Sequence, residues 1–94
     1  MTPTQSLDLA EAHAARGDFA ACQAVLEAAL SGIEETPEWA DADIVNRLGL
    51  TILKLRKPAV AAPLFMRALE LDPTSRAAGF NLSYALIMLR RREE

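Results

Sequence analysis

The chain has 94 residues, 51% of them hydrophobic, and a formal net charge of −3. That apolar fraction excludes a disordered chain, and the length allows one domain. A lone cysteine, Cys22, excludes an internal disulfide and a cysteine-based metal site. Cys22 sits on an apolar stretch between Ala21 and Val25, where a small buried residue is expected and a reactive thiol is the alternative. Residues 1–47 hold nine acidic and two basic side chains, a balance of −7; residues 48–94 hold eight basic and four acidic, a balance of +4. Solvated helix faces account for this asymmetry; attraction between opposite ends in an assembly, or toward a partner, is the sharper reading. The one dense basic run is Arg90, Arg91 and Arg92. Three cations at the end of a helix complement its dipole, so no nucleic-acid partner is expected. The start of the chain lacks a basic stretch followed by an apolar run, and no apolar stretch is long enough to span a bilayer. A cytoplasmic location without membrane insertion is the expectation.

Taken in chain order, the stop signals bracket five helices. Thr2 or Thr4 caps a first helix that runs to Arg16, and Gly17 ends it. Asp18 caps a second helix from Phe19 to Ile33, followed by the polar connector Glu34, Glu35 and Thr36. Thr36-Pro37 is expected to open a third helix, with the threonine as cap and the proline in the first turn, running to Leu55. After Arg56-Lys57-Pro58 a fourth helix runs from Pro58 to Leu71, with Pro63 near enough to its start to lose at most one hydrogen bond. Asp72-Pro73 breaks the chain again, and Thr74 or Ser75 caps a fifth helix to Arg92. Short connectors predict antiparallel hairpins, and no segment alternates as a strand does. The fold class is all-α.

The chain also repeats itself. Residues 45–55 align with 79–89 at an offset of 34, so Leu48 falls on Leu82, Gly49 on Ser83, Ile52 on Leu86 and Leu55 on Leu89. At an offset of 39 the first helix pair aligns with the second: Leu9 falls on Leu48, Leu26 on Phe65 and Ala29 on Ala68. The extra residues lie in the connector around Glu34 to Glu38. The small residues Gly49 and Ala61 are read as the crossing point of two helices, with Phe65 as the large knob beside them. Each two-helix unit leaves a face that only a neighbour can bury.

Val45, Leu48, Gly49, Ile52, Ala61, Phe65, Ala68 and Pro73 resemble the pattern of the tetratricopeptide repeat, Trp-x2-Leu-Gly-x2-Tyr, then Ala-x3-Phe-x2-Ala, then Pro. Val45 and Ile52 stand where the pattern has aromatics. The fifth helix looks like the first half of another repeat. The first unit matches less well, with Ala10 at the glycine place and Cys22 at the alanine place. The resemblance implies one domain over residues 1–94, a short solenoid of stacked hairpins, with units at 3–36 and 37–73 and a half unit at 74–92. It also implies a concave groove that takes a peptide or a helix. By matching places, the lining would include Leu7 and Glu11, then Asn46, Leu50, Leu53 and Lys54. The last helix would add Ala77, Phe80, Asn81 and Tyr84, with Ile87 and Met88. Of the polar candidates, Asn46, Asn81, Arg47 and Lys54 do not reproduce the family's carboxylate clamp. Phe80, Tyr84 and Met88 are read as groove residues because Leu82, Ala85, Leu86 and Leu89 already form a core-facing stripe. Completion of the local core is the competing account.

No catalytic constellation is present in the sequence. His13 is the single histidine and lies between Ala12 and Ala14, where a packed imidazole is expected. The acids Glu34, Glu35, Glu38, Asp41 and Asp43 read as a solvated connector and helix start. Trp39 is either packed on the second helix or an exposed anchor. The expected function is a non-enzymatic adaptor or chaperone that binds a protein or peptide, with no cofactor. A self-associating module, or an accessory subunit of an enzyme or secretion complex, is the alternative. Treatment with a chelator is expected to leave the helical circular dichroism and the melting curve unchanged, and a loss of structure in chelator would overturn the reading of the acidic connector.

Overall fold

The computed structural model describes residues 2–37 and 40–93. Glu38 and Trp39 lie outside the described residues. Five helices follow one another: α1 (Pro3–Ala15), α2 (Phe19–Glu35), α3 (Ala42–Lys54), α4 (Pro58–Leu71) and α5 (Arg76–Glu93). There is no strand among the described residues. The chain forms two compact units, Met1–Ala40 and Asp41–Glu94. In the first, α1 packs against α2; in the second, α4 packs against both α3 and α5, and α3 also touches α5. No helix is long and apolar enough to cross a membrane among the described residues.

Local chemistry sets the helix ends. Thr2 and Gln5 form a capping box: the Gln5 N–H donates to the Thr2 hydroxyl at 3.3 Å, and the Thr2 N–H donates to Gln5 Oε1 at 2.9 Å. Gly17 ends α1 in the left-handed region at φ 77°. The Gly17 N–H donates to the Ala14 carbonyl and the Asp18 N–H to the His13 carbonyl, a Schellman closure. Asp18 then caps α2 by accepting the Ala21 N–H at 3.2 Å. Ser75 caps α5 by accepting the Ala78 N–H at 3.2 Å. In the turn before it, the Thr74 hydroxyl and N–H both donate to Asp72 Oδ1, and these bonds hold the Asp72 carboxyl below its ordinary range.

The start of α3 departs from the sequence reading. Thr36 does not cap α3; it closes α2, its N–H donating to the Gly32 carbonyl at 2.9 Å. The cap of α3 is Asp41, which accepts the Ile44 N–H at 2.8 Å. Pro37 stands five residues before α3 begins, and its carbonyl accepts the Ala40 N–H. An aspartate aimed at an orphan amide competes well with a Thr-Pro pair, and the sequence contains both.

Burial follows the offset of 39 in the second helix of each unit. Cys22, Leu26 and Ala29 are buried in α2, and their counterparts Ala61, Phe65 and Ala68 are buried in α4. In the first helices the agreement is partial. Ala10 and Gly49 are both buried, but Leu48 is fully buried while Leu9 is 36% exposed. The two helices have different surroundings, since α3 contacts both α4 and α5 within its unit. At Gly49, α3 lies directly against Phe65 of α4: a Cβ built there would lie 2.7 Å from Phe65 Cε1, inside van der Waals contact. Phe65 has no exposed surface into which it can yield. Among the described residues, no buried side-chain polar atom lacks a hydrogen-bond partner.

Gly49→Leu is therefore expected to cost about 1–3 kcal/mol of stability by overpacking the crossing. Gly79, in α5, has nothing within 4 Å of a Cβ built on it. Gly79→Ala is expected to add about 0.5–1 kcal/mol through helix propensity alone. Urea unfolding of the two variants checks both signs, and equal effects would mean that the crossing at Gly49 is not close.

Candidate functional site

The second unit carries a groove of about 390 Å3 between α3 and α5. Leu50, Leu53 and Lys54 line it from α3, and Arg56 from the turn that follows. Phe80, Asn81, Tyr84 and Met88 line it from α5. The local sequence explains why these side chains face outward. The fully buried positions of α5 are Ala78 and Ala85, two turns apart on one stripe. Phe80 and Tyr84 lie well round the helix from that stripe and remain 74% and 51% exposed. Asn81 donates from Nδ2 to Asn46 Oδ1 at 3.1 Å, a direct link between α5 and α3. This bond fixes two half-buried amides that would otherwise compete for water.

Seven of the residues expected to line a groove are brought together here: Leu50, Leu53, Lys54, Phe80, Asn81, Tyr84 and Met88. Asn46 joins them through its bond to Asn81. Ile87 is half exposed on α5 but does not line the groove. Leu7 is a correction: it has no exposed surface and belongs to the core of the first unit. An aliphatic side chain on a two-helix unit is more strongly held by its own core than by a shared surface. Glu11 is half-buried on α1, also in the first unit. The expected core-facing stripe of Leu82, Ala85, Leu86 and Leu89 holds at Ala85, which is fully buried, and is corrected at Leu86. Leu86 is 51% exposed, and Leu82 and Leu89 are only half-buried, because α5 rests on its alanines.

Arg56 was not marked by the sequence reading, and its backbone is the signal that finds it. It is the one non-glycine residue with positive φ among the described residues, at 63°. The offset of 39 places it on Gly17, which has the same left-handed conformation. The two closures share one bond: the Arg56 N–H donates to the Leu53 carbonyl at 2.9 Å, as the Gly17 N–H does to the Ala14 carbonyl. An L side chain in this region is strained, whereas glycine is not. Arg56 and Tyr84 also border a smaller depression, of about 250 Å3, with Met88 and Arg91.

The remaining chemistry-bearing residues do not converge. The exposed Arg16 guanidinium donates to Nδ1 of the half-buried His13 at 2.8 Å. Cys22 is fully buried, and burial raises its thiol pKa. No group of three or more His, Cys, Asp or Glu side chains suited to a metal ion occurs among the described residues. A search of family models finds none that matches the chain, and no curated protein or solved structure compared with it matches either.

Strain at Arg56 has a measurable consequence. Arg56→Gly is expected to raise stability by about 0.5–1 kcal/mol, the relief of the left-handed side chain less the added freedom of the unfolded glycine. Urea unfolding checks this, and a loss of stability would show that the arginine side chain contributes more to the fold than its backbone costs.

Proposed function

We propose that this chain is a non-catalytic interaction module, a short array of tetratricopeptide-like hairpins, and that the groove between α3 and α5 holds a segment of another polypeptide. The observation that carries this reading is the exposure of Phe80 and Tyr84 beside the apolar floor of Leu50 and Leu53. Large aromatics left in water next to a concave apolar surface are the usual anchors of a binding site. Covering each is worth roughly 1.5–3 kcal/mol before the cost of association. The Asn46–Asn81 pair borders the same surface and offers its remaining amide groups to a peptide backbone.

A second reading, self-association through α5, is favoured by a separate observation. Ile52 is 3% exposed beneath α4, while its counterpart at an offset of 34, Leu86, is 51% exposed. Ser83, the counterpart of Gly49, is also exposed. The face that α4 covers on α3 is therefore uncovered on α5 within the described unit, and a helix of a second copy would fit it.

Selection of a random peptide library displayed on phage separates these. The unmodified protein is expected to enrich a family of apolar sequences. Phe80→Ser combined with Tyr84→Ser is expected to abolish that enrichment while leaving stability within about 0.5 kcal/mol, since both side chains are largely exposed. Failure of the unmodified protein to enrich any sequence, or equal enrichment by the double variant, would overturn the groove reading. A concentration-dependent mass that Leu86→Ser abolishes would favour self-association.

A further inference from the structure

We infer that the segment bound in the α3–α5 groove is acidic as well as apolar, and that Arg56 is the residue that selects its carboxylates. This rests on the groove reading above and adds the charge of the partner. Among the described residues, the charged side chains that border the groove and its adjoining depression are all cations: Lys54 and Arg56 in the groove, and Arg56 and Arg91 in the depression. No described carboxylate is hydrogen-bonded or ion-paired to any of the three. Cations at one end of an apolar groove, with no described carboxylate bonded to them, attract an anion, so the complementary ligand carries negative charge at that end.

The second argument is the backbone of Arg56. The helix closure that Gly17 makes without strain is made here by an arginine at φ 63°. A position that favours glycine and holds a long cationic side chain at the rim of a groove trades stability for something the side chain does there. Its guanidinium offers two parallel N–H donors to a carboxylate, which the ammonium of Lys54 does not. Tyr84 and Met88 adjoin Arg56 in both depressions, so an apolar anchor and a carboxylate on neighbouring residues of a peptide reach their sites together.

The peptide library tests this as well. The enriched sequences are expected to carry Asp or Glu next to a large apolar residue. A synthetic peptide of that consensus should bind roughly five- to tenfold more weakly when its acids are replaced by their amides, in line with the loss of a close charge pair. Its affinity should fall as salt rises from about 50 to 300 mM. Arg56→Gly should weaken binding by a similar factor while making the protein more stable, two effects that a merely structural residue would not combine. Enrichment of apolar sequences without acidic residues would overturn this inference and leave the groove reading standing; no enrichment at all would overturn both. If heparin displaced the peptide while apolar substitutions in the peptide had no effect, the site would be a general polyanion surface and the inference would fail. Salt-sensitive self-association lost in Arg56→Gly would uphold the selection of carboxylates by Arg56 but make the acidic segment that of a second copy, overturning the reading that a different polypeptide fills the groove.

Discussion

The second unit depends on the contact between Gly49 and Phe65. With no side chain at 49, α3 approaches α4 closely enough that a Cβ would stand 2.7 Å from the phenyl ring. The ring fills the space left by the glycine and has no exposed surface of its own. Packing at this density tolerates neither a larger residue at 49 nor a smaller one at 65. Close approach also brings Val45, Leu48 and Ile52 into the core from one helix, and Ala61 and Ala68 from the other. The first unit solves the same problem with a softer pair. Ala10 stands at the glycine place and Leu26 at the phenylalanine place, and both are buried.

The same use of small residues positions the candidate site. Because Ala78 and Ala85 form the fully buried stripe of α5, its larger side chains are displaced to either side. Phe80 and Tyr84 fall on the flank beside α3 and form a groove with Leu50 and Leu53. Leu86 remains exposed away from the groove lining. An α-helix whose apolar residues exceed the width of one contact stripe must expose some of them, and the choice of alanine on the stripe decides which. The groove is thus a consequence of how α5 is packed rather than an addition to a finished fold.

Much of this was legible in the sequence where the signal was local. The closure at Gly17, the cap at Asp18 and the extent of α4 from Pro58 to Leu71 follow from the chemistry of neighbouring residues. The burial of Phe65 and Ala68, with their counterparts Leu26 and Ala29, follows from periodicity and from the offset of 39. What misled was competition between equally local signals: Thr36-Pro37 and Asp41 are both credible helix starts, and only the one whose side chain meets an amide is used. Alignment also misled at Leu9 and Leu86, because a shared place in a repeat does not carry with it a shared neighbour.

By itself, then, the amino-acid sequence determined that the chain is all-helical, where the second and fourth helices begin and, between two neighbouring caps, where the first and fifth do, and it showed the spacing of a repeated hairpin, since these rest on interactions within a few residues and on spacing along one face. The tertiary structure alone decided that Leu7 is core rather than surface, and that Phe80 and Tyr84 meet Leu50 and Leu53 across a groove. It alone placed Arg56 in a left-handed backbone at that groove's rim. Each of these depends on which residues face one another across two or three packed helices, and that is set by close approach at Gly49 and along the alanines of α5, not by the order of residues in any one segment.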